Sequence, residues 1–185
     1  MKDDDNLKNI PSERPSNLVD SYRLFHLLRQ TSDAVHKTRE VELKKYKLTP
    51  EQAGALVGIH SLGKKATPAE LSRWLFRERN SITILLNRMH KQGLINKKAD
   101  TRRKNIIRLS LTKKGLKAYN HSIEFQSFIP IIDVMPDKKR QELWDLLQII
   151  RLEVFKDLHI DVNAYSSILN EPLIIDTANK GAKEE

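Results

Sequence analysis

The residues with the clearest chemistry are cationic, and they are concentrated in segment 64–117. This segment holds 16 Lys and Arg against three acidic residues, Glu70, Glu78 and Asp100, which gives it a net charge of +13. The whole chain carries +9, so the remaining residues sum to −4. Positive charge concentrated in this way is typical of a surface that binds a phosphate backbone. The segment is therefore predicted to hold duplex DNA.

Side chains that hydrogen-bond to bases or phosphates lie on one face of a helix predicted over 80–92. An apolar stripe of Ile82, Leu85, Leu86 and Met89 follows the helical period and is predicted to face the core. The opposite face and the end of the preceding turn form the first set of predicted DNA contacts: Arg79, Asn80, Ser81, Thr83, Ile84, Asn87, Arg88 and Lys91.

Two members of this set have a second interpretation. Ile84 could meet a thymine methyl group in the groove, or it could pack beneath a neighbouring element. Asn80 could contact a base, or it could simply be the N-cap of the helix.

A second set of predicted contacts lies at the basic tip of a hairpin, whose strands are predicted at 94–98 and 105–111. Such a wing can place an arginine in a narrow minor groove, where the negative potential is deepest. Asp100 is predicted to cap the turn or to pair with an arginine. A basic hairpin can also be a charged sheet edge protected against aggregation, but the adjacent helices favour DNA contact. The predicted wing contacts are Lys98, Arg102, Arg103 and Lys104, with the minor-groove arginine being Arg102 or Arg103.

The elements that must position these residues are predicted mainly as helices. The sequences TPEQ at 49–52 and TPAE at 67–70 each have the pattern of a capping box with proline at the first helical position. Helices 67–76 and 80–92 have the lengths of a helix-turn-helix, whose second helix enters the major groove. Trp74, at helical spacing from Leu71, is predicted to belong to the core.

Long helices are predicted over 16–48 and about 136–158, and the fold class is predicted as mainly α with a small β-wing. In this scheme a winged helix-turn-helix is joined to a helical dimerisation region. The predicted parts are a flexible N-terminal arm (1–16), a dimerisation helix (17–47), a winged DNA-binding lobe (48–112), C-terminal dimerisation helices (113–160) and a tail (161–185).

The composition argues against an enzyme, a metalloprotein and a membrane protein. There is no cysteine, the six histidines lack a metal-ligand spacing, and there is no glycine-rich phosphate loop, so no cofactor is expected. No apolar run approaches the roughly 18 residues of a membrane span. The acidic, polar N-terminus does not have the pattern of a secretory signal, so a cytoplasmic protein is expected.

The segment from about 48 to 120 resembles the MarR family of bacterial transcription regulators. Within that family, the motif RKN followed by LTKKG is similar to the corresponding sequence in regulators of reductive dehalogenase genes. The chain departs from the family pattern in a longer wing and in Phe76, which stands where a small turn residue is usual. The matching motifs are LTPEQ (48–52), P-x-E-L-S (68–72), SIT-x-LLNRM (81–89), GLI (93–95), DTRR (100–103) and LTKKG (111–115).

The resemblance implies a homodimer, formed by the N-terminal helix and the last two helices, that binds a palindromic operator. It also implies a cleft between the dimerisation helices and the DNA-binding lobe that often binds a small aromatic or phenolic effector. Each residue predicted to line this cleft could equally be an ordinary core or surface residue. These residues are Tyr22, His26, Arg29 and His60.

The predicted function is that of a sequence-specific transcription regulator. It would be a dimeric repressor that binds duplex DNA and is released from it by a small effector. The alternative is an architectural, nucleoid-associated protein that uses the same fold with little sequence preference. Equally tight binding to mixed-sequence DNA would favour that alternative. A winged-helix module for protein partners is disfavoured, because it would gain nothing from a segment charged at +13.

Overall fold

Helices and one β-hairpin make up the described part of the chain. The computed structural model describes residues 16–101, 103 and 105–160, so the predicted tail and all but the last residue of the predicted arm lie outside it. This composition confirms the predicted mainly α fold class with a small β-wing. The elements are α1 (Ser16–Lys44), α2 (Pro50–Leu62), α3 (Pro68–Trp74), α4 (Arg79–Lys91), β1 (Ile95–Ala99), β2 (Ile107–Leu111), α5 (Lys113–Ser122), α6 (Ile129–Ile132) and α7 (Asp137–Asp157).

The chain divides into two units, and the boundary after Thr38 falls inside α1. The predicted end of this helix at Leu48 is wrong. Lys47 adopts a left-handed backbone (φ 56°), and the Leu48 N–H turns back to donate to the Leu43 carbonyl at 3.1 Å. Leu48 is thereby buried in the second unit. Among the described residues, no helix combines the length and the apolar character needed to cross a membrane.

Both predicted threonine caps are present. The Thr49 hydroxyl accepts from the Gln52 N–H at 3.3 Å, and the Gln52 side chain accepts from the Thr49 N–H at 3.0 Å, which completes the box before α2. Thr67 likewise accepts from the Glu70 N–H at 3.2 Å before α3. The prediction that Glu70 closes this second box is wrong, because its carboxylate contacts the Arg73 guanidinium.

The core of the second unit lies where α2 meets α3, α5 and the hairpin. Burial of each large apolar side chain contributes about 1.5–3 kcal/mol relative to exposure. A Cβ at Gly58 would lie 2.7 Å from both Leu71 and Trp74, so α2 and α3 approach closely here and the predicted core role of Trp74 is confirmed. The largest fully buried apolar side chains are Leu43, Leu56, Leu71, Ile82, Leu86, Met89 and Ile95.

The hairpin is attached to this core through both strands, since Ile95 of β1 and Leu109 of β2 are buried. β1 and β2 pair antiparallel, with Ile95 opposite Leu111 and Lys97 opposite Leu109. Leu109 is buried, and its N–H donates to the Ala66 carbonyl at 3.0 Å. The base of the wing is therefore held beside the start of α3, while its tip extends away from the core.

A buried carboxylate fixes the chain that leads from α5 to α6. Glu42 accepts hydrogen bonds from the Gln126 and Ser127 N–H groups at 3.1 and 3.0 Å, and it pairs with Arg39 at 2.8 Å. Burial alone would raise the pKa of Glu42, but the Ser127 hydrogen bonds and the Arg39 charge outweigh burial and hold the pKa below its usual value. These contacts of Glu42 thus hold the C-terminal end of α1 against the loop that follows α5.

The motif LTKKG ends in a glycine that the packing requires. A Cβ at Gly115 would lie 1.9 Å from the Leu94 carbonyl oxygen. Thr112 caps α5 by accepting from the Gly115 N–H at 2.9 Å, and its hydroxyl also lies 2.6 Å from the Gly93 carbonyl oxygen. The start of α5 is therefore pressed against the turn that ends α4.

Replacement of Gly115 by Ala is expected to destabilise the protein by about 1–3 kcal/mol, since the added methyl group must push the Leu94 backbone away. Chemical denaturation measures this change. Asn120→Ala, an exposed change on the same helix, is the control and is expected to stay within about 0.5 kcal/mol. Equal stability of the Gly115→Ala variant and the wild type would contradict the close approach.

Candidate nucleic-acid interface

Helix α4 presents a polar face because its other face is anchored in the core. Ile82, Leu86 and Met89 are buried and Leu85 is half-buried, as the helical period predicts. The Gly93 backbone is left-handed (φ 70°) and ends the helix region before β1. The predicted contacts on α4 are all exposed: Arg79, Asn80, Ser81, Thr83, Ile84, Asn87, Arg88 and Lys91.

The two residues with alternative interpretations are both placed on this outer face. Ile84 is 62% exposed, so the interpretation that it packs beneath a neighbouring element is wrong for the protomer. Asn80 lies inside α4, and the N-cap position belongs to Glu78, so the N-cap interpretation of Asn80 is also wrong. Their contacts with DNA stay predictions.

Two polar side chains of α4 have their geometry set within the protein. The Thr83 hydroxyl donates to the Arg79 carbonyl at 2.9 Å, so its oxygen is left as an acceptor. The Asn87 carbonyl oxygen accepts from the Lys97 ammonium at 2.6 Å. Because an ammonium group only donates, the NH₂ group of Asn87 points away from the lysine.

Lys97 belongs to the same surface, although it is not among the predicted contacts. Its partner across the hairpin is the buried Leu109, so its side chain starts from the face of β1 that lies toward α4. Strand alternation could have indicated this face, because Ile95 and Lys97 are two residues apart. The sequence does not indicate that the lysine reaches Asn87.

Asp100 organises the tip of the wing. Its carboxylate accepts from the Arg103 N–H at 2.9 Å and from the Arg108 Nε at 2.6 Å, so both predicted roles, turn cap and arginine partner, are confirmed. Backbone bonds between Asp100 and Ile106 and between Ile106 and Arg103, both 2.8 Å, close the turn. Arg103 and Lys98 are exposed, whereas the predicted contacts Arg102 and Lys104 lie outside the described residues.

A cleft of about 810 Å³ separates the wing from the starts of α3 and α4. We call it the wing cleft. It brings together predicted contacts from both sets, since Arg79 and Thr83 from α4 and Arg103 from the wing line the same space. Its other polar lining residues are Lys65, Thr67, Glu70, Asn105 and Arg108. Four cations around one carboxylate make it electropositive.

The four predicted effector residues are divided between the two units. In the first unit, the rings of Tyr22 and His26 lie 4.3 Å apart, and Arg29 pairs with Asp33 at 3.6 Å on the surface. In the second, the His60 ring stacks on Tyr119 at 4.1 Å.

His60 also lines a pocket of about 410 Å³ whose walls are largely apolar, formed by β2 and the start of α5. Burial raises the pKa of Tyr119. The predicted effector role of all four residues stays a prediction.

Solved structures share this fold, although no protein-family model and no curated protein matches the chain. The organohalide-sensing transcriptional regulator RdhR in its ligand-free form has a TM-score of 0.69 at 22% identity, over 82% of this chain and 92% of that one. Its 2,4-dichlorophenol-bound form has a TM-score of 0.66 at 23% identity, over 78% and 88%. A mutant of E. coli MarR complexed with operator DNA has a TM-score of 0.63 at 18% identity, over 75% and 99%.

Loss of the Asp100 carboxylate is expected to loosen the wing tip without unfolding the protein. In Asp100→Ala, amide exchange at Arg103 and Ile106 should increase by about tenfold, because a hydrogen bond to a charged group contributes about 1.5–3 kcal/mol. Asp100→Asn, which keeps an acceptor for Arg103, should show a smaller increase. Unchanged exchange in the alanine variant would show that Asp100 does not order the tip.

Proposed function

The chain has the fold of the MarR-type transcription regulators, and we propose that it is a regulator of this kind, a homodimeric repressor that binds a palindromic operator. Fold alone does not determine function. The observation that carries the proposal is the exposed polar face of α4, which stands beside the electropositive wing cleft. A recognition helix in the major groove and a basic wing on the adjacent backbone would use both features at once.

The side chains of α4 divide by chemistry into two kinds of contact. Arg88 and Asn87 can hydrogen-bond to base edges, and the exposed Ile84 can meet a thymine methyl group. Lys91, Lys98 and the cations of the wing cleft suit phosphate contacts, which add affinity without sequence information. A surface that holds both kinds supports sequence-specific binding over purely electrostatic binding.

The exposed apolar side chains of α7 support a homodimer. Leu143, Leu146, Leu147, Ile150 and Val154 recur at helical spacing along one face of this helix, and all of them are exposed. The first unit likewise exposes apolar residues of α1, among them Leu24, Phe25 and Leu27. Large contiguous apolar patches of this kind mark association surfaces. A two-fold dimer would place its recognition helices about 34–36 Å apart, one turn of DNA.

We extend the proposal to release by a small aromatic or phenolic effector. The RdhR structure with 2,4-dichlorophenol has the same fold as this chain. His60, which stacks on Tyr119 beside a largely apolar pocket, and Tyr22, His26 and Arg29 of the first unit are the proposed effector residues. Such an effector would act only through different affinities for the DNA-bound and released states.

The architectural alternative draws support from the net charge of +13 in segment 64–117. If that charge dominates, binding will fall steeply with salt and will be nearly equal on all sequences. If the α4 side chains read bases, a preferred sequence will be retained at the salt concentration of a cell.

Arg88→Ala is expected to weaken binding to a selected duplex by about 1–3 kcal/mol if the guanidinium reads a base, and to leave binding to a scrambled duplex almost unchanged. Fluorescence anisotropy with both labelled duplexes measures the two losses. Lys117→Ala, an exposed cation on α5, is the charge-matched control. Equal losses on the two duplexes would make Arg88 a phosphate contact.

The double substitution Leu146→Lys and Ile150→Lys is expected to produce monomers. A dimer formed through the apolar face of α7 would have to bury two unpaired charges from each protomer. Light scattering coupled to size-exclusion chromatography measures the mass. Ile107→Lys, at an exposed apolar position of the wing and outside the predicted dimerisation helices, should leave the dimer intact. A dimer that persists in the double variant would place the interface elsewhere.

A further inference from the structure

Phe76 has a backbone conformation that phenylalanine rarely adopts. Its φ is 53°, in the left-handed region where a Cβ is unfavourable and where glycine usually ends a helix. The residue directly follows Leu75, the C-cap of α3. A strained residue persists only when its surroundings fix it. The contacts of the Phe76 side chain are therefore the place to look for what offsets the strain.

The turn around Phe76 is held by hydrogen bonds on both sides. The Phe76 N–H donates to the Arg73 carbonyl and the Arg77 N–H to the Ser72 carbonyl, both at 3.0 Å. The Ser72 hydroxyl donates to the Arg77 carbonyl at 2.6 Å. Arg79 opens α4 three residues after Phe76. A displacement of Phe76 is therefore expected to move the first residues of α4.

The Phe76 ring contacts the C-terminal helix. It stacks on Phe155 of α7 with the centroids 5.9 Å apart and the planes 8° from parallel. Among the described residues of α7, Phe155 alone is buried, at 7% exposure, although much of the helix carries exposed apolar side chains. The stack thus joins Phe76, which is 53% exposed in the turn before α4, to the one buried residue of α7.

We propose that the Phe76–Phe155 stack is a positioning contact, through which the placement of α7 sets the orientation of α4. In this role Phe76 acts by fixing the turn that precedes α4. The inference rests on the proposed function, because α4 is taken as the recognition helix and α7 as part of the dimer interface. The route between them is a single helix: Phe155 and the exposed apolar face of α7 both belong to it, so a shift of the dimer interface moves the stack.

This route explains why the left-handed position holds a phenylalanine. Glycine would form the same turn without strain but would leave Phe155 without its ring partner. A comparable case lies in the loop after α5, where Phe125 (φ 47°) holds its ring 4.3 Å from the Arg39 guanidinium. Both rings are kept at positive φ where they join separate parts of the chain. Phe125 is outside the helix-turn-helix and so supplies a matched control.

The first arm of the test measures DNA affinity. Phe76→Gly keeps the turn and removes the ring, and it is expected to weaken binding to a selected duplex by about tenfold, a common size for coupling between sites. Phe76→Tyr keeps the stack and should restore wild-type affinity. Phe125→Gly makes the same substitution away from α4 and should leave the affinity of the folded dimer unchanged. Circular dichroism at the temperature of the titration verifies folding of each variant.

The second arm needs no DNA and starts from the other ring. Phe155→Leu removes the ring stack but keeps most of the buried apolar volume. Leucine is chosen because Phe155→Ala would leave a cavity and could unfold the protein. Amide exchange at Arg77 and Ile82, whose N–H groups bond to Ser72 and Glu78, should become about tenfold faster. The amide of Ala53, bonded to Thr49 in α2, should not change and reports global unfolding.

The two arms separate this inference from the function on which it rests. Weaker DNA binding in Phe76→Gly with faster exchange in Phe155→Leu supports the positioning role. Unchanged exchange overturns it, and so does faster exchange with unchanged affinity, since the contact would then be structural only. If the wild type prefers no duplex, the proposed function fails, and the exchange arm alone decides whether α7 is coupled to α4.

Discussion

The anchoring of α4 by its apolar face is the constraint on which the rest of the interface depends. Ile82, Leu86 and Met89 are buried in the core of the second unit, and each loses most of its burial if the helix rotates. Because the helical period is fixed, burial of these three side chains determines which others face outward. Arg88, Asn87 and Ile84 form one surface for this reason, before any contact with DNA is made.

Two of the three acidic residues of segment 64–117 order its cations, and the segment stays strongly positive. Glu70 pairs with Arg73 on α3, and Asp100 holds Arg108 and the backbone of Arg103 at the wing tip. Each carboxylate fixes the direction of cationic groups, while the segment keeps its net charge of +13. The wing cleft is the place where this field and the start of α4 meet. Long-range attraction and a fixed polar surface are therefore combined in one lobe.

Local patterns predicted most of this lobe because they act over a few residues. Thr49 and Thr67 begin helices as predicted, the stripe through Met89 gives the orientation of α4, and the Asp100 turn has both of its expected bonds. The predictions failed where distant residues meet. The contacts of Lys97 with Asn87 and of Phe76 with Phe155 depend on tertiary packing, although the unusual residue at position 76 is visible in the sequence. Arg102, Lys104 and residues 161–185 lie outside the described residues.

Selection of bound duplexes from a random pool tests the central claim most directly. It should use the full chain at about 150 mM salt, where exposed charges more than about 8 Å apart are largely screened. Base recognition by α4 in a two-fold dimer predicts enrichment of one palindromic sequence whose half-sites lie one helical turn apart. A pool that stays random while the protein still binds DNA would contradict base recognition by α4, and the fold would then serve an architectural role.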